Sequence, residues 1–352
     1  MLLDDIVADM TVVATTKFEE ALFAFIRAWF TGVEHFSLTT SGSTGAPKRI
    51  AISRAQMMES ARLTVQALQL TAGQTALICL SPEFIAGKMM IVRCLVADLR
   101  IVAVDPSSHP LHSIEQRIDF TAMVPLQVHD LLSIHHHSFA NIGTVIIGGG
   151  AVAPEDIQMI QRLSCRFYAT YGMTETVSHV ALRRLNGAGA SQHYSALPGI
   201  TFARDDRNCL VIHWPIFGAS IVTNDLVELL DREKFIWLGR WDNVINSGGR
   251  KILPETLEIR IGDVMKNAGY GDRFFIAGIP DVRLGTKMVL ILESDDSDQN
   301  YSSLITLLKS SLQSFEVPKA ILTCFPFIET QTGKINRNTT LELAISNTHS
   351  TD

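Results

Sequence analysis

The chain has no C-x-x-C pair, no apolar run long enough to cross a membrane and no surplus of basic residues. Each absence closes a class of function. The five cysteines, at 79, 94, 165, 209 and 324, stand far apart, which argues against a zinc site or a disulfide framework and suits a reducing compartment. Lys and Arg number 30 against 36 Asp and Glu, for a net charge of −6. A general nucleic-acid binder shows the opposite balance, so no nucleic-acid partner is expected, and any polyanion must meet a local cluster of cations. The first residues, Met1-Leu2-Leu3-Asp4-Asp5, are acidic where a secretory signal is basic. A cytoplasmic protein without a membrane span is the expectation. Internal repeats and low-complexity segments are also missing.

What is present is a loop, Thr39-Thr40-Ser41-Gly42-Ser43-Thr44-Gly45-Ala46-Pro47-Lys48. Gly42 and Gly45 let successive amides turn toward an anion. Thr40, Ser41, Ser43 and Thr44 add hydroxyls, and Lys48 adds a charge. The composition is that of a phosphate cradle; a flexible surface turn has the same residues. It is not a Walker loop, which needs four residues between its glycines and a lysine directly after the second. The apolar His35–Leu38 before it and the helical pattern over 53–70 after it predict a strand–loop–helix setting.

Phe18, Leu22, Phe25, Ile26, Trp29 and Phe30 recur at helical spacing and predict a helix packed on the body. From about residue 53 to 230, apolar runs at Ala76–Leu80, Ile101–Val104 and Thr144–Ile147 alternate with helical patterns at Glu83–Leu95 and Pro154–Leu163, which predicts an α/β sheet core. Short strands are expected at Leu210–Trp214, Ile221–Thr223 and Val227–Leu230, as a small β subdomain. The pattern breaks at Gly239–Arg250 and restarts with strands at Phe274–Ile279, Lys287–Leu292 and Ala320–Cys324 and a helix near 301–314. The expected architecture is therefore α/β, with a large N-terminal domain over 1–241 that includes a small β subdomain. A small α+β C-terminal domain over 242–352 follows it.

Several short segments carry candidate chemistry. In Tyr171-Gly172-Met173-Thr174-Glu175-Thr176, Thr174 suits a phosphate oxygen and Glu175 suits Mg²⁺, although the pair also reads as a helix cap. Gly148, Gly149 and Gly150 end an apolar run, either for close approach by a flat ring or as a tight turn. Asp225, in Thr223-Asn224-Asp225 after a strand, suits two ribose hydroxyls or a turn cap. Thr332-Gly333-Lys334 lies in a hydrophilic loop. His135-His136-His137 fan out in different directions and read as a surface loop rather than a metal site.

In their order along the chain these segments resemble the adenylate-forming superfamily of acyl-CoA synthetases, peptide-synthetase adenylation domains and luciferases, from Thr39 to Arg337. Two departures stand out: Asn224 replaces the usual glycine of the ribose segment, and the phosphate loop begins closer to the N-terminus, so that a large part of the N-terminal subdomain is expected to be absent or reduced. Gly172–His179, Ile85–Met90 and Asp242–Gly249 further resemble the o-succinylbenzoate–CoA ligases of menaquinone biosynthesis.

The resemblance implies ATP, Mg²⁺ and CoA as substrates and metal activator, without a prosthetic group. The partners are a small carboxylic acid, ATP and CoA; a homo-oligomer is compatible with the sequence. It implies catalysis by Lys334 and phosphate binding by Thr40, Ser41, Gly42, Ser43, Thr44, Gly45, Lys48 and Thr174. Gly149, Gly150, Tyr171, Asp225 and Arg240 would hold adenine and ribose, with Glu175 on the metal. Asp242 would be a hinge about which a mobile C-terminal domain turns, and Ser247, Gly248 and Gly249 would line the CoA channel. Ile85, Lys88, Ser178 and His179 would contact the acid, Lys88 being equally readable as a solvated helix residue. Rival readings are a ligase for another aryl or fatty acid, transfer to a carrier protein, or an inactive nucleotide-binding relative.

Overall fold

The computed structural model of the chain describes residues 14–39, 49–295, 301–329 and 335–349. Thr40, Ser41, Gly42, Ser43, Thr44, Gly45, Lys48 and Lys334 lie outside the described residues. The chain divides into two units, one of 1–203, 212–221 and 229–236, the other of 204–211, 222–228 and 237–352. Among the described residues no helix is long and apolar enough to cross a membrane.

The first unit begins with α1, Lys17–Phe30, capped by the Thr16 hydroxyl, which accepts from the Glu19 amide. Its buried stripe is Phe18, Leu22, Phe23, Phe25, Ile26 and Trp29; Phe30, expected in it, is exposed, because the chain leaves the helix at Thr31. Strands β1, His35–Thr39, and β2, Arg49–Ser53, pair antiparallel. Ser53 and Gln56 then form a reciprocal capping box that starts α2, Arg54–Leu68. The phosphate loop is therefore flanked by a hairpin, a correction to the expected strand–loop–helix order: β2 intervenes before the helix. Phe36 sits 5.1 Å from Phe25 and 5.9 Å from Trp29, and the Arg54 guanidinium lies 4.6 Å over Trp29. These rings fix the hairpin on α1.

The main sheet of this unit contains β3, Thr75–Ile78; β4, Arg100–Ala103; β5, Ile118–Met123; β6, Ile142–Ile147; β7, Arg166–Gly172; β8, His179–Arg184; and β9, Tyr194–Ala196. Its order is β4-β3-β5-β6-β7-β8-β9. Neighbours are parallel from β4 to β7, and β8 and β9 are antiparallel. Helices α3, Ile85–Ala97, α4, Pro125–His135, and α5, Pro154–Ile160, connect the parallel strands. β-Branched and aromatic residues with nothing exposed (Ile118, Phe120, Val145, Ile147, Phe167) make a core buried on both faces, as a parallel sheet requires. The α/β expectation holds. His135 ends α4 and His136–Asn141 continue as a 3-10 turn, which corrects the expected loop.

β10, Thr201–Arg204, is followed by β11, Cys209–His213, β12, Ile221–Leu229, and β13, Lys234–Arg240. Each of these four is divided between the units. The two short strands expected over 221–230 are one nine-residue strand, β12; the polar Asn224 does not interrupt it because Thr223 and Asp225 turn to the buried side and Asn224 to the other.

In the second unit β14, Ile245–Ser247, and β15, Arg250–Ile252, form a hairpin. α6, Pro254–Asn267, follows. β16, Phe274–Asp281, and β17, Gly285–Leu292, make a second hairpin, and β18, Ala320–Thr323, runs parallel to β17. α7, Ser302–Ser311, and α8, Arg337–His349, complete it. Apolar residues of α6 and α7 (Leu257, Ile261, Leu304, Leu308) close one face of the sheet, and Ala344 of α8 packs with Phe275 and Phe327 on the other.

Candidate active site

Open α/β sheets place ligands beyond the carboxyl ends of their parallel strands. β6 ends there in Gly148, Gly149 and Gly150, with the Gly148 amide donating to the Met123 carbonyl at the end of β5 (3.0 Å). Tyr171, near the end of β7, packs its ring 5.0 Å from Phe235 and 5.8 Å from Tyr194. Glycine at 172 is a steric requirement: a Cβ would stand 2.3 Å from the Ser178 carbonyl oxygen and 2.5 Å from the His179 Cα. That approach lets β7 and β8 meet with a register shift at Tyr171/Gly172.

Between the two strands lies a tight turn. The Thr176 hydroxyl, fully buried, accepts from the Met173 amide (2.9 Å) and lies 2.7 Å from the Ser178 carbonyl. Val177 has φ 65 and ψ −54, and the Ser178 amide reaches back to the Thr176 carbonyl at 2.7 Å. This is a γ-turn of the rare positive-φ kind, held by a β-branched residue at a cost of about 1–3 kcal/mol. It brings Ser178 and His179 against Arg93 of α3, while Glu175 is left exposed. The Glu175 carboxylate is exposed, a hard oxygen donor beside the Thr174 hydroxyl, and that donor set fits Mg²⁺.

Behind Ser178 stands a residue that belongs to none of the sequence motifs, Arg93 of α3. Its side chain is buried; Nη2 donates to the Ser178 hydroxyl (2.6 Å) and contacts His179 Nδ1 (3.4 Å), while Nε has no partner. No carboxylate pairs with it among the described residues. Burial pulls its pKa down to about 10, so it stays cationic at neutral pH. Arginine is only a donor, which makes His179 Nδ1 the acceptor and puts the proton on Nε2. That proton goes to the Thr64 hydroxyl (3.1 Å), which donates in turn to the Ser60 carbonyl (3.1 Å). Burial, helped by Arg93, drives the His179 pKa well below its usual value; the ring is neutral. The result is a buried cation whose hydroxyl neighbour, Ser178, is partly exposed, its own proton facing only His179 Nδ1 at 3.5 Å. Arg93 was hard to find because it lies inside an apolar run, Met89–Val96, where an arginine reads as a helix surface residue.

Lys88, on the same helix, donates to the Pro82 and Glu83 carbonyls and lies 5.7 Å over Phe25. Ile85 opens that helix.

The second unit carries the remaining candidates. Asp225 is buried in the middle of β12 rather than in a turn; it takes a hydrogen bond from Trp237 Nε1 (3.2 Å) and has Arg240 at 3.7 Å. Arg240 also donates to Asp242 (2.8 Å), the second residue of a 3-10 turn, Trp241–Asn243. Ser247 ends β14, and Gly248 and Gly249, at φ 58 and 79, form the left-handed two-residue turn that a hairpin prefers. The Gly248 amide donates to the Leu284 carbonyl (3.0 Å).

The five-residue segment that contains Lys334 has a fixed neck. Glu329 and Ile335 form an antiparallel bridge, and the Asn336 amide donates to the Ile328 carbonyl (2.7 Å). Arg337 clamps both Glu258 oxygens of α6 (2.8 and 2.7 Å), while Glu258 also accepts from the Ile276 amide. Burial raises the Glu258 pKa despite Arg337; the bidentate pair ties the start of α8 to α6.

The profile of AMP-binding enzymes matches residues 36–204. A solved structure from Dyadobacter fermentans, an acyl-CoA synthetase (AMP-forming)/AMP-acid ligase II-like protein, is 39% identical, with a TM-score of 0.64 over 95% of this chain and 96% of that one. The 2-succinylbenzoate–CoA ligase of Listeria monocytogenes is 25% identical over 334 residues, 85% of this chain and 68% of the relative. The o-succinylbenzoate coenzyme A synthetase of Bacillus subtilis, solved with ATP and magnesium, shares the fold at a TM-score of 0.72 and 19% identity, over 87% of this chain and 69% of that one. Profile, length-matched relative and site together lead to one placement: the chain belongs to the family of AMP-binding enzymes, of the AMP-forming acyl-CoA synthetase and acid ligase type.

Proposed function

We propose that the chain is an AMP-forming acid–CoA ligase whose acid carries a second carboxylate, with o-succinylbenzoate as the substrate. The observation that carries the substrate reading is Arg93. A buried guanidinium with an open Nε and no carboxylate partner among the described residues is costly to keep, and an anionic substrate group offsets that cost. Ser178, polarised by Arg93 from behind, donates its proton to the carboxylate, and neutral His179 holds the guanidinium in place without adding a second positive charge. A monocarboxylic fatty acid would leave this cation without a partner. The Listeria monocytogenes relative is a 2-succinylbenzoate–CoA ligase and the Bacillus subtilis one an o-succinylbenzoate coenzyme A synthetase, which supports the same reading.

In the first half-reaction the acid's other carboxylate attacks the α-phosphorus of ATP, giving acyl-adenylate and pyrophosphate. Two anions about 4 Å apart repel by roughly 4 kcal/mol at an effective dielectric near 20, so the site must supply positive charge. We assign this to Lys334 and the loop at 40–48, with Gly149, Gly150 and Tyr171 against adenine and Asp225 on the ribose. Mg²⁺, when bound through Glu175, supplies further neutralisation of the phosphates. The CoA thiol then displaces AMP from the acyl carbon. We read Asp242 as the hinge that exchanges Lys334 for the segment 247–249 between these steps.

The test is AMP and CoA-thioester formation with o-succinylbenzoate, benzoate and a fatty acid. The dicarboxylic acid should be preferred by wild type, and Arg93→Met should abolish the preference. Equal turnover of all three acids by wild type would refute the substrate reading; ATP binding without AMP from any acid would refute the enzyme itself.

A further inference from the structure

The ribose segment of the adenylate-forming family has glycine where this chain has Asn224. Glycine has no side chain to offer, and the asparagine is fully engaged. Its amide nitrogen donates to both carboxylate oxygens of Asp242, at 3.2 Å each. Its amide oxygen accepts from Arg207 Nη1 at 2.9 Å. Arg207 is itself held by Asp205 through Nε (2.8 Å) and by the Thr223 carbonyl (3.2 Å), and its guanidinium lies 5.9 Å over the Trp241 ring. Arg240 closes the circuit, since it bonds Asp242 and faces Asp225. The turn at 241–243 is thus tied to β12 by a side chain that the family pattern lacks, one residue away from Asp225.

We propose that Asn224 is a positioning residue for the hinge: its amide latches Asp242 to the ribose strand, so that reorientation about Asp242 requires the latch to open. The inference rests on the reading of Asp242 as the hinge. Because Asn224 and Asp225 are consecutive on β12, movement of that strand on nucleotide release reaches Asp242 directly. The latch slows the change from adenylate formation to thioester formation until the nucleotide contacts alter. Hydrogen bonds to charged groups exceed neutral ones in strength, and exposure of this pair reduces the gain.

The experiment uses the full chain and three variants, Asn224→Gly, Asn224→Ala and Asn224→Asp. The aspartate keeps an acceptor for Arg207 but sets a carboxylate against Asp242. Amide exchange in a peptide spanning 240–246 reads latch opening without any need for activity. It should speed up about fivefold in all three variants, a loss on the order of one such hydrogen bond. The ratio of thioester formation from supplied acyl-adenylate to pyrophosphate release should rise by a similar factor, with the KM for ATP nearly constant. Exchange that is unchanged in the glycine and alanine variants overturns the latch. Fast exchange in those two but wild-type exchange in Asn224→Asp also overturns it, because Asn224 would then act only as a support for Arg207. Fast exchange in all three with an unchanged ratio retains the latch and removes Asp242 as the hinge.

Discussion

Two charged clusters, one in each unit, solve opposite problems. Around Arg93 a guanidinium is buried against Ser178 and His179, the latter bonded in turn to Thr64, and no carboxylate among the described residues balances it. Around Asp242 every charge has a partner and most are open to water: Arg207 with Asp205, Arg240 with Asp242 and Asp225, Asn224 between. An unbalanced buried charge waits for a ligand, whereas a balanced exposed network can be exchanged at small cost, which suits a part that must move. The contrast extends to backbone. Gly172 stands against main-chain atoms that cannot give way, while a Cβ on Gly249 would meet nothing within 4 Å.

The largest effect should therefore come from Gly172→Ala. Its methyl group forces β7 and β8 apart; overpacking of this sort typically costs about 1–3 kcal/mol, and the value here should lie at the upper end. Ser178 moves with the strand, so adenylate formation should fall more than about a hundredfold, in line with loss of a preorganised donor. Gly249→Ala meets only the left-handed backbone penalty, about 1 kcal/mol. Denaturant unfolding and pyrophosphate release measure both. A tolerated Gly172→Ala would mean that the strands have slack, and the comparison would lose its structural half.

Arg93→Met and Arg207→Met sharpen the electrostatic half. Truncating one side of a buried charged contact costs about 2–5 kcal/mol, so Arg93→Met should reduce kcat/KM for o-succinylbenzoate about a hundredfold or more and leave benzoate nearly unaffected. Arg207→Met should change kcat/KM less than about fivefold for either acid, as expected of exposed pairs. Similar losses for the two variants would erase the distinction between a waiting cation and a satisfied one.

Next comes pH. The folded state depresses the His179 pKa below the ordinary value of 6.5, so the unfolded chain binds the extra proton more readily. Stability contributed by the neutral ring is complete above 6.5 and is lost as pH falls below it. The thermal midpoint of the wild type should decline between about pH 6.5 and 5, and His179→Gln should flatten that limb. Asp156 has the opposite sign: burial raises its pKa, so its contribution is present at low pH and is lost as pH rises through the folded pKa. A decline of equal slope in His179→Gln would assign the titration elsewhere.

The sequence made the order of segments legible, because phosphate, metal, ribose and lysine motifs are built from residue types whose chemistry is local. Alternation of apolar runs and helical patterns was enough for the α/β core and for β3, β4 and β6 with the helices α3 and α5, but not for β5, β7, β8, β9 or α4. It did not reveal β2, since Arg49–Ser53 is short and half exposed and looks like the entry to a helix. It did not reveal that Thr223–Asp225 lies in the middle of a strand, since Asn and Asp are poor strand formers that are stabilised here by Arg207 and Trp237. Arg93 was invisible for a different reason: a lone cation in an apolar helix acquires meaning only when β8 brings Ser178 and His179 against it. Val177 could not be read at all, because no residue type announces a positive φ at a β-branched position.

The smallest expected effect is that of salt, and it separates the clusters most cleanly. At about 1 M ionic strength the screening length is near 3 Å, comparable to the separations in the Asp242 network. The contacts there are exposed, and pairs of that kind contribute little, so exchange in the 240–246 peptide should accelerate by no more than about threefold. Arg93 is buried, and buried charges are screened much less. The preference for o-succinylbenzoate over benzoate should then survive at a salt concentration that loosens the hinge turn, provided each rate is compared with wild type at the same ionic strength. A preference that collapses while the 240–246 amides stay protected would place the open charge near Asp242 and the balanced one at Arg93, the reverse of what the two environments dictate.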